Sequence, residues 1–205
     1  MAIDHFLLRH IKDNQVDWNF NVVFEGQPAV AEMSKQYAPA IQHPGLYKPI
    51  PPQWMHATIL SLGTVEDFTE QEVQAVAAKL EPILARLELP EFNFDSWWLW
   101  GGNVVLHISP EDEFTKIYDA VISALESVVG PERTVKTPHG KFIAHTSLAY
   151  TRSHDKEHEL HNQLVAHPVT PVSFKVGYLP LLRQWAHDGH YEWEVIKKIP
   201  IGKGS

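Results

Sequence analysis

The sequence predicts an α+β fold with mostly antiparallel sheets, and three observations carry that prediction. Short apolar runs that read as strands are interleaved with helical patterns, without the strict strand–helix repeat of a parallel sheet. Gly101-Gly102-Asn103 and Asp188-Gly189 sit between apolar runs as the turns of β-hairpins do. Thr69-Glu70-Gln71-Glu72 has the spacing of a helix capping box and opens a stretch with apolar residues at helical intervals.

The elements follow in order. Trp18 to Phe24 alternates apolar and polar residues and reads as a strand. Gln27 to Ala38 carries a helical pattern, and the Pro- and Gly-rich stretch Pro39 to Pro52 reads as a surface loop without regular structure. Met55 to Leu62, closed by Gly63, is a second strand. The capped helix then runs through Val73, Val76, Ala77, Leu80, Ile83, Leu84 and Leu87, with Pro82 expected to bend it. Phe92 to Trp100 and Val104 to Ser109 form a hairpin. Glu111 to Val129 forms a helix with Phe114, Ile117, Val121 and Leu125 on its apolar stripe, stopped by Gly130-Pro131. Phe142 to Tyr150 is a strand, Asp155 to Val165 a polar helix, and Val172 to Ile199 supplies further strands around the Asp188-Gly189 turn.

The totals exclude several classes. In 205 residues, 44% are apolar and 20% charged, the balance of a globular domain. The chain reads as one domain over 1–205. No apolar run approaches the roughly 20 residues of a membrane span, and Met1-Ala2-Ile3-Asp4-His5 lacks the order of a signal peptide. Cysteine is absent, which removes disulfides and thiolate chemistry and suits a cytoplasmic location. The net charge of −8 argues against a long duplex nucleic acid, whose phosphates demand a broad basic face. A small nucleotide or an RNA end, held by a few local groups, is compatible with it. A monomer is expected.

Two short motifs carry the chemistry. His56-Ala57-Thr58-Ile59 and His145-Thr146-Ser147-Leu148 share one pattern, His-x-Ser/Thr followed by an apolar residue, each within an expected strand. Strand residues two apart point to the same face, so each motif presents an imidazole and a hydroxyl about 6 to 7 Å apart. Displacement at phosphorus without a metal needs such a set. One group takes a proton from the attacking oxygen and another gives one to the leaving oxygen. Histidine, with a free pKa of about 6.5, can do either. Hydroxyls can bind the non-bridging oxygens as charge builds on them. His107-Ile108-Ser109 nearly repeats the pattern but is broken by Pro110. On residues alone, the rival reading of two strand histidines that merely pack stands level with the catalytic one.

The pair resembles the signature of the two-histidine (2H) phosphoesterase superfamily, which includes bacterial 2'-5' RNA ligases and cyclic phosphodiesterases. Pro49-Ile50-Pro51-Pro52-Gln53-Trp54-Met55-His56-Ala57-Thr58-Ile59 through Gly63 is similar to the first block of the ligases, and Phe142 through Ala149 to the second. The element order matches over nearly the whole chain. The resemblance implies a bilobed α+β fold of two pseudo-symmetric antiparallel sheets with flanking helices and the active cleft between the lobes. It implies catalytic roles for His56, Thr58, His145 and Ser147, no cofactor and no metal. The substrate would be a 2',3'-cyclic phosphate, a 2'-5' linkage or a related ester. Two positions depart from the pattern: Thr146 replaces a more apolar residue, and Lys48 is the nearest cation to where the ligases often carry Arg.

Supporting residues can be named with their rival readings. Trp54 and Lys141 precede the two histidines by two and four positions, so each can share its histidine's face. Lys141 is then either a phosphate ligand or a solvated strand-end lysine. Tyr150 can donate to a phosphate or stack a base, although its odd offset from His145 turns it away in a regular strand. Trp97-Trp98-Trp100 and Trp185-Tyr191-Trp193 read first as core aromatics, with Trp185 the best base-stacking candidate among them. His154, His158 and His161 recur at helical spacing but read as a solvated face rather than a metal site. The expected activity is metal-independent hydrolysis of a phosphodiester, cyclic in the first instance. An ATP-independent 2'-5' RNA ligase and a non-catalytic nucleotide- or RNA-binding module are the alternatives, with a zinc hydrolase the weakest.

Overall fold

The computed structural model describes residues 5, 14–41, 47–100, 103–134, 141–151, 157–166 and 172–202. Its strands are β1 (Val16–Val23), β2 (Tyr47–Pro49), β3 (His56–Thr64), β4 (Phe92–Trp100), β5 (Asn103–Ser109), β6 (His145–Thr151), β7 (Ser173–Phe174), β8 (Tyr178–His187) and β9 (His190–Pro200). Its helices are α1 (Pro28–Ile41), α2 (Glu70–Leu84), α3 (Glu111–Val129) and α4 (Glu157–Ala166). The strands form two antiparallel sheets, one ordered β3-β1-β8-β9 and one ordered β2-β6-β5-β4-β7. The expected bilobed α+β architecture is what the chain adopts. Among the described residues, no helix is long and apolar enough to cross a membrane.

Each sheet sends one face to the core. On β3, Ala57 and Ile59 are buried in the apolar cluster, where α3 also contacts the strand. His56 and Thr58 therefore lie on the opposite face. On β6, Thr146 and Leu148 are buried, while His145 and Ser147 are only half-buried. α2 and α3 pack together through residues with no exposure, among them Val73, Val76, Leu80, Ile117 and Val121. The Thr69 capping box is complete: its hydroxyl accepts from the Glu72 amide, and Glu72 accepts from the Thr69 amide. Asp188 and Gly189 both have positive φ, 43° and 72°, as a type I′ hairpin turn requires. The turn residues Gly101 and Gly102, and His154 and Asp155, lie outside the described residues.

One expectation is corrected. The stretch Pro39 to Pro52 is not irregular throughout. α1 continues past Pro39 to bury Ala40 and Ile41, and Tyr47–Pro49 pairs with β6. Proline is tolerated in β2 because that strand is a sheet edge, where one side of the backbone has no ladder to complete. Pro52–Trp54 then makes a single 3₁₀ turn, closed by bonds from the Trp54 amide to Pro51 and the Met55 amide to Pro52. The Ile50 amide donates to the Leu148 carbonyl at 2.8 Å, so the proline-rich turn that leads into the first motif is laced to the second.

Candidate active site

The two motif strands meet near their starts. The Thr146 hydroxyl donates to the His56 carbonyl at 2.7 Å, a buried bond between strands of different sheets. Both backbones are therefore within one short side chain of each other at this point. The apolar-to-Thr departure noted at position 146 thus has a structural use: a hydroxyl there fastens the second motif to the first.

The histidines are held in the same way. His56 Nδ1 donates to the Trp54 carbonyl at 3.0 Å, and His145 Nδ1 to the Ile143 carbonyl at 2.8 Å, in each case two residues upstream. A carbonyl can only accept, so Nδ1 carries the hydrogen in both rings. Each Nε2 is then the atom that changes protonation, a lone pair when the ring is neutral and a donor when it is charged. The 3₁₀ turn aims the Trp54 carbonyl. On the other side, the bond from the Ile108 amide to the Ala144 carbonyl fixes the approach to His145.

The surroundings differ. His56 is 7% exposed and packs edge-on against Trp193, with ring centres 5.1 Å apart, and against Tyr191 at 6.1 Å. Trp54 stands 4.9 Å from Trp193 and completes that wall. Thr58 lies across from Asn21, whose side chain donates to Gln184 at 2.6 Å. Gln184 is opposite Trp193 and Ala186 opposite Tyr191, so β8 and β9 present these groups on one face. Asn21 and Gln184 link that face to the one bearing His56 and Thr58. Trp185, by contrast, is opposite Glu192 and Val16, on the other face. The stacking role read for Trp185 is corrected here: the indole beside the candidate site is Trp193. Strand parity puts Trp193 and Tyr191 on one face of β9, and the register of β8 on β9 puts Trp185 on the other.

Around His145 the neighbours are Trp100, with ring centres 4.8 Å apart, and His107, directly across on β5. Ser147 is opposite Val105. His107 is bonded at both ring nitrogens, Nδ1 to Asp95 and Nε2 to Glu111, each at 2.9 Å. Burial alone would lower its pKa, but the bonds to Glu111 and Asp95 and their charges outweigh burial and raise it. Glu111 is held below the usual carboxylate value, first by its bond from His107, then by Lys141. Lys141 is 76% exposed and its ammonium lies 3.1 Å from Glu111.

Tyr150 reaches the site by a route that simple alternation misses. Ser147 faces Val105 but Ala149 faces Val104, so Leu148 is one residue too many on β6. Such a bulge reverses the alternation beyond it, and Tyr150 returns to the side of His145. Its ring meets Tyr191 edge-on at 5.6 Å, and His5 stacks on it at 4.4 Å. The orientation expected for a regular strand is corrected accordingly. Lys48, opposite Tyr150 on β2, pairs with Asp188 at the β8–β9 turn at 2.6 Å, so the sequence's nearest cation to the turn is engaged between the sheets.

His158 and His161 are exposed on α4. No group of three or more His, Asp and Glu side chains placed to hold a metal ion occurs among the described residues.

Comparison with known proteins gives a likeness of fold. No family model matches the chain, and no curated protein matches it by sequence. Among solved structures, Thermus thermophilus TT0787 is similar with a TM-score of 0.63 at 22% identity, covering 93% of this chain and 98% of that one. E. coli LigT without ligand is similar with a TM-score of 0.63 at 14% identity, covering 92% of this chain and 98% of LigT. The MHV ns2 PDE domain is similar with a TM-score of 0.52 at 13% identity, covering 88% of this chain and 99% of that domain. LigT also matches in its complexes with 3'-AMP, phosphate, NADP+ and ATP. The chain shares the fold of these proteins over nearly its full length.

Proposed function

We propose that this chain is a metal-independent phosphodiesterase that hydrolyses a phosphodiester, cyclic in the first instance, in a nucleotide or at an RNA end. The observation that carries the reading is the joined pair of motif strands, with both imidazoles fixed by Nδ1 to a carbonyl two residues upstream. Two rings prepared in the same tautomer at one strand junction suit a general base and a general acid acting on a single phosphorus. The binding of 3'-AMP and phosphate by LigT, whose fold the chain shares, supports a small nucleotide as ligand.

In the proposed reaction, the oxygen of water bonds to phosphorus as the bond from phosphorus to the ring ester oxygen breaks. One imidazole takes the proton of the water, and the other supplies a proton to the departing oxygen, leaving a phosphomonoester. Thr58 and Ser147 donate to the non-bridging oxygens as negative charge accumulates there. Tyr150 and Trp193, which stands 5.1 Å from His56 between ring centres, help hold the substrate in this reading. The net charge of −8 supports a small ester over a long RNA and gives the ligase reading no advantage.

The test is turnover of 2',3'-cyclic nucleotides with the product identified by phosphorus NMR. His56→Ala and His145→Ala should each remove activity while circular dichroism stays native, and EDTA should leave the wild type unaffected. Full activity in either alanine variant, or its loss on chelation, contradicts the proposal.

A further inference from the structure

His5 lies ahead of β1 and outside both motifs, yet it packs at the candidate site. Its ring stacks on Tyr150 with centres 4.4 Å apart and planes 23° from parallel, and it meets Tyr191 edge-on at 6.2 Å. Tyr150 belongs to one sheet and Tyr191 to the other, and these two rings meet edge-on at 5.6 Å. Tyr191 in turn stands 6.1 Å from His56. One imidazole from the start of the chain therefore touches both sheets where they come together beside a candidate catalytic ring.

The seat of His5 is built. Asn103 opens β5, and its Oδ1 accepts from the backbone amide of Thr151 at 3.1 Å. That bond continues the β5–β6 pairing past Val104 and Ala149, beyond the bulge at Leu148 that turns Tyr150 toward the site. A backbone amide can only donate, so the orientation of the Asn103 side chain is settled, and Nδ2 is the atom that meets His5 Nδ1 at 2.8 Å. A side-chain amide nitrogen can only donate as well. His5 Nδ1 is then the acceptor, and the hydrogen of the neutral ring sits on Nε2. This is the reverse of His56 and His145, whose Nδ1 atoms donate. His5 is not a third copy of the acid–base pair.

We infer that His5 is a positioning residue: docked on Asn103, it holds Tyr150 against Tyr191 and so shapes the wall that meets the substrate beside His56. The inference rests on the phosphoesterase reading of the same site. Tyr150 is brought to this side by a bulge rather than by the regular pleat, and a bulge locally disrupts the ladder. Asn103 mends the ladder with one end and seats His5 with the other, so a single side chain secures both the bulge and the ring stacked on Tyr150. Without His5, Tyr150 loses a stacked face and Asn103 loses an acceptor, and the phenol can swing away from the substrate. No proton of the reaction passes through His5. Binding should suffer when it is removed, and the step at phosphorus should not.

The first test reads the tautomer. In long-range proton–nitrogen spectra of the full chain in mildly alkaline solution, His5 should show the Nε2–H pattern and the two motif histidines the Nδ1–H pattern. Asn103→Ala should return His5 to the shifts of an exposed histidine. An Nδ1–H pattern for His5, or shifts that Asn103→Ala leaves unchanged, overturns the docking. The second test is kinetic. His5→Ala should raise KM for 2',3'-cyclic AMP about fivefold, on the scale of one lost hydrogen bond, with kcat within about twofold of wild type. His5→Phe, which keeps a ring on Tyr150, should recover most of the loss. Asn103→Ala should raise KM as well, and adding His5→Ala to it should add little, because the two act through one contact. An unchanged KM in His5→Ala overturns the inference, as do losses that add in full. A KM that falls overturns it too, since the ring would then occupy space the substrate needs. If the wild type opens no cyclic ester, the phosphoesterase reading fails separately. Calorimetric binding of 3'-AMP then replaces the kinetics, and a Kd unchanged in His5→Ala overturns the positioning role.

Discussion

The surroundings of His56 and His145 differ far more than their backbones do. Both rings hang from the first residue of a strand, and both give Nδ1 to the carbonyl two residues back. His56 sits on an edge strand of its sheet, almost covered, against Trp193 and Tyr191. His145 sits on an interior strand, half-buried, between an exposed indole and the His107 ion-pair cluster. What both sides share is therefore local: a bond made within three residues of chain. What differs is contributed by distant elements, β9 for the first ring and β4 with α3 for the second. The lesson is that a motif can prescribe a tautomer, while the rest of the fold decides how much water and charge the ring meets.

That contrast can be broken or sharpened by substitution. The largest effects should come from the rings themselves: His56→Ala and His145→Ala should each lower kcat on a cyclic nucleotide by roughly 100- to 10,000-fold, the range of general acid–base catalysis. Next, Trp193→Ala should raise KM by about tenfold, while Trp185→Ala, on the opposite face of the sheet, should change neither KM nor kcat by more than about twofold. Steady-state kinetics of the pair tests the assignment of faces. Equal losses in the two variants would contradict it.

Thr146→Val probes the join between the motifs. It keeps the side chain's shape and removes the donor to the His56 carbonyl, which should cost about 1 kcal/mol of stability by urea denaturation. Its kcat should fall further than that of Ser127→Ala, whose hydroxyl bonds only within α3. A native kcat in Thr146→Val would mean that the two strands keep their geometry without this bond.

The smallest effect is one of pH. His107 titrates above its usual value of about 6.5, because its carboxylate partners outweigh its burial. A raised histidine pKa contributes stability in full below the unfolded value and loses it as pH rises through the folded one. Asp95 and Glu111 are both held low, so they stay charged until well into acid. The difference in melting temperature between wild type and His107→Gln should therefore be largest near pH 6 and shrink toward pH 9. A difference that grows with pH would contradict the assigned charges.

Much of this was legible from the sequence because the physics was local. The capping box of α2, the hairpin around Asp188-Gly189 and the shared face of His56 and Thr58 all follow from residues a few positions apart. The proline-rich stretch was misread because its fate is set by a distant strand, β6, which accepts Tyr47–Pro49 at its edge. Tyr150 was turned the wrong way because alternation cannot reveal a bulge that arises only against β5. Trp185 was preferred to Trp193 for a related reason: choosing between them needs the register of β8 on β9 and the closeness of β9 to His56. Thr146 looked like a departure from a pattern because its partner is a backbone carbonyl in the other sheet.

In the proposed reaction the two unlike surroundings serve one event at one phosphorus. Its most direct test is the double variant His56→Ala/His145→Ala, assayed on 2',3'-cyclic AMP beside the two single variants. Groups that act as a unit give strongly non-additive losses, so the double variant should be about as slow as the slower single one. Losses that multiply in full would mean that the two histidines act in separate steps or at separate places, and would contradict the account.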